Sequence, residues 1–321
     1  MTRTTSTGSA SACTAATTDE TPVHPHAPEW FRRALAVPFT DGFVDVEGAS
    51  VHYLAWGEPG RRGLVFVHGG GANAHWWTHI AATFAGERRV VAVDLSGHGD
   101  SSHRERYELE QWAREVLSVA HHSGIDGPPV IVGHSMGGFV AIAVASLRPV
   151  EVAGTIVCDS PVTEPAPDVT MSSPKHDLGT RPRPWASPDL AVERFRTVPP
   201  QTHSLDFVCD HVARRSLKPV DGGWQWKFDR RVSEQVQQQM QGTALPHLHA
   251  LACRFALLRS EFGMVTDDIG ASMFEATGGT APVFVLPQAG HHAMLDQPLI
   301  LLTAFRAVLA DWDHSEPHRR R

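Results

Sequence analysis

Short apolar runs alternate with amphipathic segments along most of the chain from Phe43 onward. Uninterrupted runs such as residues 64–67 and 130–132 are typical of strands that are buried on both faces of a sheet. Between them, residues 109–121 carry their apolar side chains at helical spacing, which predicts an amphipathic helix. An alternation of buried strands and helices indicates a mostly parallel sheet covered by crossover helices.

The same pattern extends over the rest of the chain. Eight strands are predicted, at residues 43–46, 51–56, 64–67, 90–93, 130–132, 152–158, 255–258 and 283–286. Helices are predicted at residues 74–84, 109–121, 139–147, 267–276 and 298–309. The expected fold class is therefore α/β, with a mostly parallel eight-stranded sheet flanked by helices.

The rhythm of strands and helices stops after Ser160 and returns near Phe255. Residues 161–200 are dense in proline, and the segment from there to residue 249 has a helical pattern with one turn at Gly222. We interpret residues 161–249 as a helical cap inserted between two parts of the core, residues 29–160 and residues 250–313. Residues 1–28 are rich in Thr, Ser and Ala and are expected to form a disordered leader, and residues 314–321 a flexible tail.

Composition narrows the classes of function. The 321 residues are 42% apolar, which supplies a substantial core, and the formal net charge is −7. Charges of both signs are spread along the chain, so we expect neither a nucleic acid nor a membrane as a partner. The four cysteines lie far apart and the first residues lack the apolar stretch of a signal peptide, which favours reduced thiols and a cytoplasmic location.

The candidate chemistry begins at residues 133–137, whose sequence GHSMG matches the pattern G-x-S-x-G. A predicted strand precedes this segment and a predicted helix follows it, which is the context that the pattern requires. Glycine is needed at positions 133 and 137, because the strand and the helix approach each other there. The turn exposes the hydroxyl of Ser135 and leaves the amide of Met136 at a helix N-terminus, where an oxyanion is stabilised. These features indicate a nucleophilic serine.

Three further segments make the chain resemble the α/β-hydrolase superfamily from Phe43 to Trp312: HGGG at 68–71, DLSGHGDS at 94–101 and AGHH at 289–292. The resemblance implies a serine hydrolase with a cap, in a layout like that of epoxide hydrolases. It further implies that His291 is the base and that the amide of Gly70 is a second oxyanion donor beside Met136. His292 also fits the base, but the family pattern favours the first histidine after the glycine, so we interpret His292 as a packing residue.

The acid that orients the base has several candidates. Many relatives carry it after the strand predicted at residues 255–258, where this chain has Gly263 in the expected position. Other members carry it after the strand that precedes the cap, where this chain has Asp159. A carboxylate there can still accept the Nδ1 proton of the histidine. We favour Asp159, followed by Glu261, and then by Asp267 or Asp268.

The substrate is expected to lie between the edge of the sheet and the cap. Trp76 after the glycine loop and Trp185 in the cap are expected to line this pocket, which favours a moderately hydrophobic small molecule. No cofactor or metal is expected: His75 and His79 have helical spacing, but a zinc-peptidase helix would have a glutamate directly after the first histidine. A homodimer is left open.

A serine nucleophile suits acyl transfer to water, whereas enzymes that open epoxides or remove halides use an aspartate. The sequence therefore predicts hydrolysis of a carboxylic ester or a lactone through an acyl-enzyme intermediate. Two alternatives stay open. One is a cofactor-free lyase or acyltransferase on the same fold, and the other is a catalytically silent member that binds a small ligand.

Overall fold

The computed structural model describes residues 16–19, 21–163 and 183–315. The strands in this part of the chain are β1 (Ala16–Thr17), β2 (Phe39–Val46), β3 (Ala49–Trp56), β4 (Arg62–Val67), β5 (Arg89–Val93), β6 (Asp126–His134), β7 (Gly154–Cys158), β8 (Leu217–Val220), β9 (Gly223–Trp226), β10 (Arg254–Phe262) and β11 (Val283–Gly290). The helices are α1 (Glu29–Leu35), α2 (Thr78–Ala81), α3 (Leu109–His122), α4 (Met136–Leu147), α5 (Pro188–Val192), α6 (Asp206–Arg215), α7 (Arg231–His249), α8 (Asp267–Ala276), α9 (Ala293–Asp296) and α10 (Pro298–His314).

The main sheet has the strand order β1-β2-β3-β5-β4-β6-β7-β10-β11. The strands β2 and β3 pair antiparallel with each other, and β3 pairs antiparallel with β5, whereas the pairs from β5 across to β11 are parallel. All eight predicted strands are present in this sheet, and the two-residue strand β1 adds a ninth at one edge. The predicted α/β sheet is confirmed.

Helices cover both faces of the sheet, because successive side chains of a buried strand point to opposite faces. On β4, Leu64 and Phe66 pack into one apolar cluster with α1 and α10, and Val65 and Val67 pack into a second cluster with α3 and α4. Because the strands from β5 across to β11 are parallel, their carboxyl ends lie at one edge of this three-layered core. The loops that leave these ends are held close together.

The segment between β7 and β10 contains more than the predicted helices. Its described part, residues 183–249, includes a hairpin of β8 and β9 between α6 and α7. On α7, Val232, Val236 and Leu248 belong to the same buried cluster as α3 and α4, so this helix lies in the helical layer of the core. The predicted helix at residues 74–84 also differs, since it consists of a 3₁₀ turn (Ala74–Trp77), α2 and a second 3₁₀ turn (Ala82–Phe84).

Residues 183–229, which we call the insert, contact loops that leave the carboxyl ends of three strands. The side chain of Asn73 after β4 donates to Ser216 Oγ, and the amide of Gly99 after β5 donates to the carbonyl of Lys227. After β11, the carbonyl of Leu295 accepts a hydrogen bond from the amide of Leu205. The insert is therefore tied to the edge of the sheet at which the glycine-rich motifs lie.

The leader differs from the expectation of disorder in its described part. Ala16 and Thr17 pair with β2, and the side chain of Asp19 is buried in an ion pair with Arg215 of α6. The expectation rested on composition, and this correction has a physical reason: backbone pairing at an open sheet edge requires no apolar sequence. Residues 1–15, 20 and 316–321, and residues 164–182 of the predicted cap, lie outside the described residues. In the described helices, no stretch is both long and apolar enough to cross a membrane.

Candidate active site

Ser135 lies on the sharp turn between β6 and α4. Its backbone has φ 53° and ψ −120°, a strained conformation for a residue with a side chain. A Cβ atom at Gly133 would lie 2.1 Å from the carbonyl oxygen of Gly137, and one at Gly137 would lie 2.4 Å from that of Val67. Since the backbone atoms cannot yield to such contacts, both positions require glycine, as the motif predicts.

Three predicted site residues form one hydrogen-bonded line. The Oγ atom of Ser135 lies 3.0 Å from His291 Nε2, and Nδ1 of the same ring lies 2.7 Å from Asp159 Oδ2. His291 and Asp159 are both buried, at 4% and 1% exposure, so water does not compete for their contact. A histidine held in this way can take the serine proton, and the carboxylate fixes its tautomer.

The carboxylate of Asp159 is held from the opposite side by backbone amides near the end of β10 and just after it. The amides of Ser260, Met264 and Val265 donate to it at 3.2, 2.7 and 3.2 Å. A Cβ atom at Gly263 would lie only 2.2 Å from Asp159 Oδ2. Gly263, where the resemblance led us to look for the acid, therefore leaves room for the Asp159 carboxylate that a side chain would fill.

The other candidate acids lie elsewhere. Glu261 is exposed and accepts a hydrogen bond from the amide of Gln288 at 2.7 Å. Asp267, with a side chain 93% exposed, pairs with Arg259, and Asp268 is exposed on the first turn of α8. The structure therefore brings Asp159 to His291 and leaves these three carboxylates outside the line.

The glycine loop after β4 lies against the serine turn. A Cβ atom at Gly69 would be 3.2 Å from the Cβ of Ser135, and one at Gly70 would be 3.9 Å from the sulfur of Met136. His68 braces this loop, since its Nδ1 donates to the carbonyl of Gly69 and its Nε2 accepts from the amide of Leu95. The amide of Met136 lies in the first turn of α4, where an N–H has no acceptor within its own helix.

Two more histidines surround His291. His134 Nε2 donates to the carbonyl of His291 at 2.9 Å, and the ring of His292 lies 4.7 Å from the ring of His291. Burial lowers the pKa of His134 well below its usual value and that of His292 to about 3. Both rings are therefore neutral at physiological pH, which fits the interpretation of His292 as a packing residue.

The two predicted pocket tryptophans have different surroundings. Trp76 is buried, with its ring 5.5 Å from that of His292 and 6.0 Å from that of Phe195 in the insert. Trp185 is partly exposed and pairs through its backbone with Trp224 of β9. Trp76 thus lies against His292, the residue that follows the proposed base, whereas Trp185 pairs with Trp224 within the insert. The place of both tryptophans in a substrate pocket stays a prediction.

Three groups of described side chains bring possible metal ligands within 4.8 Å of one another: His134 with His291 and His292, Asp19 with His75 and His211, and His52 with Asp94 and Asp100. Each group has a key member that is already engaged. His291 is hydrogen-bonded on both ring nitrogens, Asp19 is paired with Arg215, and His52 is bonded to carboxylates on both sides. We assign no metal to these groups.

His52 on β3 and its acidic partners were not singled out by the sequence analysis. Its Nδ1 lies 2.7 Å from Asp94 Oδ2, and its Nε2 lies 3.0 Å from Asp41 Oδ1. Burial alone would lower the pKa of His52, but the two carboxylates outweigh burial and raise it to about 10. Asp94 also accepts from the amide of Ala74 at 2.6 Å, so this cluster anchors the end of the glycine loop. Asp94, the first residue of the DLSGHGDS segment, was the signal in the sequence that could have pointed to this cluster.

The sheet order, the serine turn and the hydrogen-bonded line define the class of protein. Residues 64–304 match the model of the alpha/beta hydrolase family. The match spans most of the chain, so the chain belongs to this family, and the predicted fold and hydrolase class are confirmed.

The chain is also similar to individual proteins of known name. It is similar to an esterase of Mycobacterium tuberculosis, with 27% identity over 82% of this chain and 88% of that protein. It is also similar to epoxide hydrolase 4 of mouse, with 32% identity over 36% of this chain, although it spans only 32% of that protein. The solved structure of E-2-(acetamidomethylene)succinate hydrolase superposes with a TM-score of 0.73 at 19% identity, covering 85% of this chain and 99% of that one, and this likeness shows the fold alone.

Proposed function

We propose that this protein hydrolyses carboxylic esters or lactones through an acyl-enzyme formed on Ser135. The observation that carries the proposal is the continuous contact from Ser135 Oγ through His291 to Asp159, at 3.0 and 2.7 Å. In the first step His291 takes the hydroxyl proton while Oγ attacks the carbonyl carbon. The same histidine then gives that proton to the leaving alkoxide, and later activates a water that releases the acid.

The oxyanion is assigned to the amides of Gly70 and Met136. Support comes from the approach of the glycine loop to the serine turn and from the position of Met136 at the N-terminus of α4. Amides fixed in this way need no rearrangement as negative charge develops on the carbonyl oxygen.

A serine at the turn favours esters over epoxides. Opening an epoxide through a covalent intermediate uses a carboxylate, which forms an ester with the substrate carbon, and this position holds a hydroxyl. The esterase from Mycobacterium tuberculosis, which this chain matches along most of its length, points the same way. The shorter match to epoxide hydrolase 4 does not outweigh the chemistry of Ser135.

The test is turnover of a graded panel of p-nitrophenyl esters and lactones by the wild type and by Ser135→Ala. We expect the variant to lose about 10⁴-fold or more in kcat, because the nucleophile is gone. Ser272→Ala, an exposed serine on α8, is the matched control and keeps full activity. Equal rates for the wild type and Ser135→Ala would refute the nucleophile assignment.

Two further measurements separate the alternatives. Repeating the reaction with added alcohols or amines tests an acyltransferase, since a transferase would give the transfer product in place of the free acid. A fluorophosphonate probe tests for a silent binding protein, because only an activated serine is labelled. Absence of label on Ser135 in the folded wild type would favour the binding protein.

A further inference from the structure

One short piece of the insert, residues 195–205, touches the loop that carries His291 at several points. The ring of Phe195 packs on Trp76, whose other side meets His292. The amide of Leu205 donates to the carbonyl of Leu295. Within the core, His134 donates to the carbonyl of His291 and Asp296 accepts from the amide of Gly290, so the loop between β11 and α9 is held from two sides, by the core and by the insert.

Gln201 is the central contact of this piece. Its Oε1 accepts a hydrogen bond from the amide of His292 at 2.8 Å, and its Nε2 lies 3.4 Å from the carbonyl of the same residue. The amide side chain thus pairs with the His292 backbone as a neighbouring strand would. Because His292 directly follows His291, this pairing fixes the backbone from which the base projects.

Gly290 shows how closely Gln201 fits. A Cβ atom there would meet Gln201 Cδ at 2.7 Å, Cγ at 2.8 Å and Oε1 at 2.9 Å, and these are its three nearest atoms. Gly290 is not among the glycines with positive φ, so its backbone would accept an alanine. The glycine before His291 is therefore explained in this chain by a side chain of the insert.

We propose that Gln201 is a positioning residue for the base, and that through it the insert sets the alignment of His291 with Ser135. The contacts of Gln201 that carry this role are with the backbone at Gly290 and His292. Loss of Gln201 lets the loop shift, which lengthens the contact between the imidazole and the hydroxyl. The proposal rests on the proposed function for the role of His291.

The test compares Gln201→Ala with Gln225→Ala, which changes a partly buried glutamine of the same insert on β9. We expect Gln201→Ala to lower kcat by about ten- to a hundredfold, the effect of displacing a reacting group by about an ångström. KM and the thermal midpoint should change little. The Gln225→Ala variant should keep kcat within about twofold.

A double-mutant cycle with Gly290→Ala sharpens this test. Gly290→Ala alone should lower kcat, because the new methyl pushes against Gln201. In the Gln201→Ala background the same substitution should cost little more, because all three clashing atoms are absent. Equal losses from Gly290→Ala in both backgrounds, or an unchanged kcat in Gln201→Ala, would overturn the proposal.

A spectroscopic readout keeps this result separate from the proposed function. The proton shared by His291 Nδ1 and Asp159 should give a low-field NMR resonance, assigned by its loss in Asp159→Asn. We expect this resonance to shift or broaden in Gln201→Ala and to stay in place in Gln225→Ala. An unmoved resonance contradicts the role of Gln201, whereas a wild type that turns over no ester contradicts only the proposed function.

Discussion

Two buried histidine and aspartate pairs in this protein share nearly the same geometry. In each pair the histidine Nδ1 lies 2.7 Å from an Asp Oδ2: His291 from Asp159, and His52 from Asp94. Both carboxylates also accept backbone amides, and all four side chains are at most 4% exposed. Taken alone, neither pair distinguishes a catalytic group from a structural one.

The difference lies on the far ring nitrogen. His291 Nε2 meets the hydroxyl of Ser135, a group that has a proton to give, whereas His52 Nε2 meets the carboxylate of Asp41. Two carboxylates raise the pKa of His52 to about 10, so it stays protonated and is no base at neutral pH. The third partner, and not the pair itself, separates a candidate base from a fixed cation.

Among the substitutions that test this comparison, we expect the largest effect from a change of Asp159. Asp159→Asn should lower kcat by about 10⁴-fold, because the amide no longer holds the required tautomer of His291. The measurement is steady-state kinetics on the ester that the panel identifies. Glu261→Gln is the control, since that carboxylate is exposed and accepts a hydrogen bond from the amide of Gln288. A comparable loss in Glu261→Gln, with Asp159→Asn active, would contradict the assignment.

The second effect concerns stability and not turnover. His52→Gln should lower the free energy of unfolding by about 3 kcal/mol, because it leaves the buried Asp94 carboxylate without its counter-charge. The measurement is urea denaturation, with His249→Gln, an exposed histidine at the end of α7, as the control. Complete loss of activity in a His52→Gln variant of full stability would show that the structural role is wrong.

The stability provided by His52 should depend on pH. Its folded pKa of about 10 lies above its ordinary value of 6.5, so the stabilisation is fully present below about pH 6.5 and is lost as the pH rises through 10. The gap between wild type and His52→Gln should therefore shrink in alkaline buffer. A gap that stays constant up to pH 11 would argue against a charged His52.

The smallest effect is expected at Asp41, whose side chain is 48% exposed. Asp41→Asn should cost about 1 kcal/mol or less, because solvent screens this half of the cluster. The hydrogen bond from His52 lowers the pKa of Asp41, so its contribution is present above about pH 4 and is lost as the pH falls. Denaturation at pH 7 and pH 3 measures it, and a loss as large as that of His52→Gln would refute the ranking.

The sequence predicted those parts of the molecule that follow from local patterns. The eight strands were predicted from short apolar runs, and the need for glycine at 133 and 137 from backbone geometry, and both signals lie within a few residues of sequence. Asp159 was found because it directly follows a strand whose end is visible in the sequence. These features depend little on which side chains meet across the fold.

The insert and the His52 cluster depend on contacts between distant residues, and no local pattern marks them. Gln201 meets His292 across 91 positions, and His52 meets Asp94 across 42. The hairpin of β8 and β9 was missed because each strand has only four residues. The alternation of Trp224 and Trp226 is too short there to indicate a strand. The pairing of the leader was missed because β1 has only two residues, which is too short to show a pattern in the sequence.

The interlock between Asp159 and Gly263 bears on how such enzymes diverge. The carboxylate at 159 fills the space that a side chain at 263 would need, at a separation of 2.2 Å. A chain that carried an acid at both places would therefore have to move the Asp159 carboxylate away from its present position against the backbone amides. Loss of the acid at 159 alone would leave His291 without the carboxylate that orients it, and turnover would fall. Moving the acid from 159 to 263 in this chain is therefore expected to require two substitutions made together, one at each position.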